Sequence, residues 1–236
     1  LEFRRVLFRS RRICLQYLKN IIVSDLRAAN WYRQQYNKGV WLPLVQDEKR
    51  IFKDIEKIEK KSDEYRKKWN LTKTNNILFV GRLIEEKNLP VLFEACSHLK
   101  IPYKVIVVGE GKCRDHWEKL GKELKIPVEF VGQMNGIDLF AWYYSVDVFV
   151  LPSKIEAFGA VTNEALLLGC NCCVSEKAGS ACLIENGTNG YVFNPDDPKD
   201  LVTKLMLAFQ LKRGHSSKMN CSFAEYMSKA FKLSLS

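Results

Sequence analysis

Residues 147–169 read DVFVLPSKIEAFGAVTNEALLLG, and the changes of pattern along this stretch decide the fold. The run from Val146 to Leu151 is short and almost wholly apolar, as expected of a strand buried on both faces. Pro152 to Gly159 reads as a loop, with proline at one end and glycine at the other. From Ala160 the period lengthens, and Val161, Ala165, Leu166 and Leu168 form the apolar stripe of a helix that stops at Gly169. A strand, a loop and a helix in that order place the loop at the carboxyl end of a parallel strand. Open α/β sheets bind ligands at that edge, and the free N–H groups and dipole of a helix start favour an anion such as phosphate.

Two carboxylates flank the helix start, Glu156 in the loop and Glu164 in the helix, with seven residues between them. A carboxylate facing a phosphate is repelled, so a functional role requires both to face neutral hydroxyls, which sugars and riboses supply. Otherwise Glu164 is a solvated helix residue at the favourable end of the dipole and Glu156 a solvated loop residue. Spacing alone favours the solvated reading.

The chain has 236 residues, 47% hydrophobic and 27% charged, enough for one sizeable core and an appendage. The apolar run from Leu139 to Leu151 is too short to span a bilayer and contains Asp147. Net charge is +10, of which Arg4, Arg5, Arg9, Arg11 and Arg12 against Glu2 contribute +4. The opening LEFRRVLFRS lacks the apolar centre of a signal peptide and resembles a translated adaptor scar, so residues 1–12 are set apart from the fold. The remaining +6 fits an anionic substrate or an anionic membrane surface; no Arg/Lys cluster interleaved with aromatics points to nucleic acid. Cys170, Cys172 and Cys173 enter a predicted strand without paired C-x-x-C or a histidine cluster, the pattern of buried thiols rather than of a metal site. A reduced, cytoplasmic compartment follows from eight cysteines without framework spacing.

Elsewhere strands and helices alternate. NIIVSD leads into a helix over Leu26 to Tyr36, capped by Ser24 or Asp25, and VWLPL carries Pro43 in an extended segment. Between Asp47 and Trp69, Ile51, Ile55, Ile58, Tyr65 and Trp69 share one face of a single predicted helix. Glu56 with Lys60, Asp63 with Lys67 and Glu64 with Lys68 are i,i+4 pairs on it. Strands are predicted at Ile77–Val80, Val105–Val108, Val128–Val131 and Cys172–Ser175, and ENGTNGYVF as a turn with a final strand. Helices are expected over 90–99, 115–124, 138–145, 200–211 and 222–232. This alternation predicts an α/β, doubly wound parallel sheet of about six strands, Rossmann-like in form. In GRLIEEKN, Gly81 lets the chain turn sharply above its strand, and Arg82 with Lys87 either solvates the loop or binds a diphosphate. The G-x-G of Gly109 and Gly111 lacks a third small residue, since Arg114 occupies that place, which disfavours NAD.

SKIEAFGAVTNEALLLG resembles the E-x7-E signature of the retaining glycosyltransferases of family 4, which have the GT-B fold. GRLIEEKN is similar to that family's G-R-L-x-x-x-K-N. The resemblance extends in order from Ile77 to Pro195 and implies the C-terminal, donor-binding half of a GT-B enzyme. Residues 71–236 would then be the nucleotide-sugar domain, and residues 13–70 the tail of an acceptor domain with a linker helix. Two departures from the family pattern stand out: GCNC follows the helix, and Cys182 replaces a glutamate.

The resemblance implies catalytic roles for Arg82 and Lys87, which would hold the donor's diphosphate, and for Glu156, which would orient the transferred sugar. Glu164 would take the ribose. Gly81, Gly109 and Gly111 would let the backbone approach the nucleotide, Val131 would be substrate-binding, Gln133 and Met134 would lie against the base, and N–H groups around Phe158, Gly159 and Ala160 would face the leaving group. For Met134 ordinary packing is an equal alternative. The partners implied are a nucleotide-diphosphate sugar, a glycan or lipid-linked acceptor and a missing N-terminal acceptor domain; no metal and no other cofactor are expected. Placement is cytoplasmic, with peripheral contact at the inner membrane face as an extension, and donor binding without transfer is expected. Two rivals share the motifs, a non-catalytic nucleotide-sugar binding module and another GT-B enzyme such as a nucleotide-sugar epimerase or a pyridoxal-dependent phosphorylase.

Overall fold

The computed structural model describes residues 21–24, 26–42, 45–214, 217–219 and 222–235, and the chain divides after residue 44 and after residue 222 into two compact units. The expectations for residues 1–20, the cap at Asp25, Pro43 and Cys221 lie outside the described residues.

The first unit contains β1 (Ile21–Val23), α1 (Leu26–Tyr36), β2 (Gly39–Trp41) and the helix Phe223–Leu235. β1 and β2 pair in parallel, Ile21 opposite Gly39. Gly39 is required by close approach, because a Cβ there would overlap the carbonyl oxygen of Ala29 on α1.

The second unit begins with α2 (Glu48–Phe52) and α3 (Ile55–Lys68). The single helix expected between Asp47 and Trp69 is therefore broken at Lys53 and Asp54. Asp54 leaves helical geometry (φ −112°, ψ 18°) and starts the second helix, its carbonyl accepting from the Lys57 and Ile58 N–H groups at 3.0 Å each and its carboxylate from Lys57 Nζ at 2.7 Å. The apolar face is as expected, with Ile51, Ile58 and Tyr65 buried. The expected i,i+4 ion pairs are not the ones recorded among the described residues. Asp63 and Glu64 pair three residues away on the same helix instead, with Arg66 at 3.6 Å and Lys61 at 3.2 Å, and these two cations also reach the helix they pack on, Arg66 at the Tyr144 carbonyl (2.7 Å) and Lys61 at Asp138 (3.8 Å).

The rest of the unit is β3 (Asn75–Val80), α4 (Leu89–Ser97), β4 (Tyr103–Val108), α5 (Arg114–Glu123), β5 (Val128–Gly132), α6 (Gly136–Ser145), β6 (Val148–Leu151), α7 (Val161–Leu167), β7 (Asn171–Ser175), β8 (Gly190–Phe193) and α8 (Pro198–Gln210). Its six strands form one all-parallel sheet in the order β5-β4-β3-β6-β7-β8. Alternate residues feed opposite layers: Leu78, Val80, Ile106 and Phe149 face the layer of Tyr65, Trp142 and Leu166, while Ile77, Phe79, Val107 and Val150 face that of Leu92, Trp117 and Leu201. The two-period of a strand thus divides one apolar run between two cores.

α7 is shorter than expected. Ala160 precedes it as the cap, and the chain closes after Leu168 because Gly169 adopts φ +78° while the Gly169 and Cys170 N–H groups donate to Leu166 and Ala165. Cys170, Cys172 and Cys173 are fully buried, and burial pushes the Cys170 thiol up to about 12.

At the amino end of the two central strands, Asp147 binds the Asn76 backbone N–H at 2.8 Å and its side-chain amide at 3.0 Å. Asn76 is buried and its side-chain amide also donates to the Leu71 and Thr74 carbonyls, so losing Asp147 leaves the Asn76 backbone N–H unsatisfied. Asp147→Ala is expected to cost about 2–3 kcal/mol and to lower the melting temperature by roughly 5–10 °C. Asp147→Asn, which keeps an acceptor oxygen, is expected to lose less than half as much; calorimetry showing equal losses would contradict this role.

Candidate active site

β3 and β6 are neighbours, yet the chain leaves β3 toward β4 and leaves β6 toward β7, on opposite sides. The loops following them therefore diverge above the sheet and leave a crevice at their carboxyl ends, the general ligand position of such sheets. The loop after β3 is fastened to its neighbour by Gly81 N–H to Val108 O at 3.0 Å and Leu83 N–H to Glu110 O at 2.9 Å. A Cβ at Gly109 would overlap the Gly81 carbonyl oxygen, and one at Gly111 the Leu83 carbonyl. These two glycines let the loops approach each other.

A cavity of about 400 Å³ opens here, walled by Gly81, Arg82, Gly109, Glu110, Gln133 and Met134 among others. Arg82 is exposed, and its guanidinium makes no ion pair with another described residue. Met134 lines the cavity and also packs against the core, its sulfur accepting from the buried Trp142 indole at 3.0 Å. Gly111, Val131 and the segment from Glu156 to Glu164 lie outside these walls; Val131 packs against the core.

The two motif segments meet across the crevice. Lys154 N–H donates to Glu86 O at 2.9 Å, and Lys87 forms an ion pair with Glu156, each side chain only 15% exposed. The lysine stem also runs beside the cavity wall, since a Cβ on Gly81 would lie 3.8 Å from Lys87 Cε. Glu156 is held in place by its backbone: it bridges Ala178, Gly179 N–H donates to its carbonyl at 3.2 Å, and Ser180 N–H donates to Phe158 O at 2.6 Å. Phe158 buries its ring in the core. Gly159, at φ +90°, turns the chain into α7, and the Gly159 and Ala160 N–H groups have no backbone acceptor among the described residues.

Glu164 is not a solvated helix residue. It is half-buried, accepting from Gln46 Nε2 at 3.3 Å and from the Tyr143 hydroxyl at 3.0 Å. Burial raises its carboxyl above the ordinary range, opposed by those two hydrogen bonds and by Arg50. Gln46, Tyr143 and Ser180 were not singled out by their sequence. Tyr143 carries the signal of a core residue, and Gln46 lies 118 residues from its partner, beyond any local spacing.

Among the described residues, no three His, Cys, Asp or Glu side chains gather where they could hold a metal ion, and no helix is long and apolar enough to cross a membrane.

The sequence profile described as glycosyl transferases group 1 matches residues 21–229. The chain belongs to this family of glycosyltransferases. It is 35% identical over 133 residues to the sulfoquinovosyl transferase SQD2 of Arabidopsis thaliana, covering 55% of this chain and 25% of that protein. It is 30% identical over 170 residues to an undecaprenol-linked alpha-1,4-N-acetyl-D-galactosaminyltransferase of Campylobacter jejuni, covering 68% and 47%. The chain thus spans from a quarter to about half the length of these relatives. Among solved structures, a glycosyltransferase of Rickettsia africae matches with TM-score 0.75 at 17% identity, covering 92% of this chain and 62% of that one. Anabaena Alr3699/HepE in complex with UDP matches with TM-score 0.72 at 17% identity, covering 92% and 64%. The Rossmann-like sheet is that of GT-B glycosyltransferases.

The raised carboxyl of Glu164 gives a test of its burial. Its folded state holds a proton more tightly than its unfolded state does, so this residue's contribution to stability falls as pH rises from its ordinary value of 4.5 through the folded value. Glu164→Gln keeps an acceptor and does not titrate. The stability of Glu164→Gln relative to the natural chain is expected to rise between pH 4 and pH 7 in urea unfolding; a constant difference would mean that the carboxylate is solvated after all.

Proposed function

We propose that this chain binds a nucleotide-diphosphate sugar at the β3/β6 crevice, as the donor half of a retaining enzyme that transfers the sugar to a glycan or lipid-linked acceptor. The observation that carries the reading is the meeting of GRLIEEKN with the E-x7-E segment, Lys87 against Glu156, beside a cavity that Arg82 walls. Departure of the diphosphate creates negative charge. Arg82, Lys87 and the N–H groups of Gly159 and Ala160 stabilise that charge as it forms, taking the part that a metal plays elsewhere. The departing phosphate oxygen takes the acceptor's proton. Glu156 orients hydroxyls of the transferred sugar, Glu164 those of the ribose, and Gln133 and Met134, both on the cavity wall, border the base. The buried, high-range thiols agree with a reducing cytoplasmic setting, at the inner membrane face where the acceptor is lipid-linked. With its share of a longer relative's length, this chain is expected to bind donor and to transfer little sugar by itself.

Calorimetry with UDP, GDP and ADP tests the site and names the base. Arg82→Ala is expected to weaken nucleoside diphosphate binding by about 1.5–3 kcal/mol, the scale of a charge-assisted hydrogen bond, and EDTA to leave binding unchanged. Unaltered affinity in the variant, or dependence on a divalent ion, removes the clamp.

Glu156→Ala is expected to divide two ligands. It frees Lys87 from its ion pair, so plain nucleoside diphosphate binds as tightly as before or more tightly, while the intact sugar nucleotide binds less tightly. Loss of both in equal measure would make Glu156 a scaffold residue only.

A further inference from the structure

The carboxylate of Glu164 is held by two donors of different origin, one on each oxygen. Gln46 Nε2 reaches Oε1 at 3.3 Å, and the Tyr143 hydroxyl reaches Oε2 at 3.0 Å. Rotation about the last bond of a glutamate is otherwise broad and nearly two-fold. One donor on each oxygen removes that freedom and leaves further lone pairs on both for a ligand's hydroxyls. The Tyr143 donor is itself fixed: its ring is fully buried, packs edge-on to Phe149 with centroids 5.7 Å apart, and its carbonyl accepts from Cys170 Sγ at 2.8 Å. Gln46 is the second residue of its unit, on the segment that leads into α2. It therefore ties the chain's entry into the unit to the carboxylate.

We propose that Gln46 and Tyr143 are positioning residues that aim Glu164 at the two ribose hydroxyls of the donor, an inference that rests on the ribose-binding reading of Glu164. Neither residue need touch the nucleotide. Their effect is confined to the part of the affinity that depends on the hydroxyls, and a purely structural role would not be so confined.

The test measures, for each variant of the 236-residue chain, the ratio of dissociation constants for 2′,3′-dideoxy-UDP and UDP by calorimetry, with the GDP and ADP pairs run in parallel. Within one variant this ratio is independent of the fraction folded. The natural chain is expected to prefer the ribonucleotide on the order of tenfold, as for hydrogen bonds to a charged group. Glu164→Ala is expected to reduce that preference to about one, and Gln46→Ala and Tyr143→Phe each to about threefold, on the same scale. If Glu164→Ala abolishes the preference while Gln46→Ala and Tyr143→Phe retain it in full, positioning is refuted and ribose binding stands. No binding of any of the three nucleotides, no preference in the natural chain, or its survival in Glu164→Ala, overturns the ribose reading and this inference with it.

Discussion

The parallel pairing of β3 with β6 is the constraint on which the rest depends. Val148 lies opposite Ile77 and Phe149 opposite Leu78, and all four side chains are fully buried. Burying such side chains contributes about 1.5–3 kcal/mol each, and a slip of one residue would exchange the faces of both strands and mismatch both apolar layers at once. The register is further fixed at one end by Asp147 on Asn76. At the other end it brings together loops from distant parts of the chain, and Lys87 meets Glu156 because of it. The crevice is therefore a consequence of strand order, and its chemistry comes from the residues that happen to end those two strands.

Much of the fold is legible in the chain because a strand buried on both faces reads as an unbroken apolar run, and ILFV, VIVV and VFVL are such runs. Their alternation with helices implies parallel strands. The break at Asp54 is not legible, because the apolar stripe from Ile51 to Tyr65 continues across it. The helix-surface ion pairs are misjudged because i,i+3 partners on the same helix are as close as i,i+4 ones, and Asp63 and Glu64 take Arg66 and Lys61.

The site is legible where chemistry is local. Gly81, Arg82 and Lys87 share one loop, and Glu156 and Glu164 share one motif, so the resemblance can group them although spacing alone favours solvated carboxylates. It cannot supply the partners that hold them. Gln46, Tyr143 and the Ala178–Ser180 strip reach the motif only through tertiary folding. Gly109 and Gly111 show a subtler limit. The G-x-G spacing marks a close backbone approach, but it does not say to what, and the structure shows at least part of the answer to be the adjoining loop.

A crevice suited to an anion, bordered by three carboxylates, poses an electrostatic problem that the structure meets in different ways. Glu110, on the cavity wall, is paired with Arg114 and Glu156 with Lys87, so each brings its own counter-charge. A partly buried pair of this kind contributes little to stability, because desolvation offsets attraction, but removing one member leaves an uncompensated charge. On the proposed reading the pair also stores a cation: a diphosphate drawing on the charge of Lys87 would weaken the attraction holding Glu156 and free that carboxylate for hydroxyls. Glu164 follows the other route. It is drawn into the protein, its ionised form is disfavoured by burial, and two neutral donors hold it, with the charge of Arg50 a smaller influence. A carboxylate held in that way presents hydrogen-bond acceptors with its negative charge partly offset, which suits contact with neutral hydroxyls near a phosphate better than an exposed carboxylate would. The difference between the two glutamates is therefore one of environment rather than residue type, and it is set by what the fold places behind each of them.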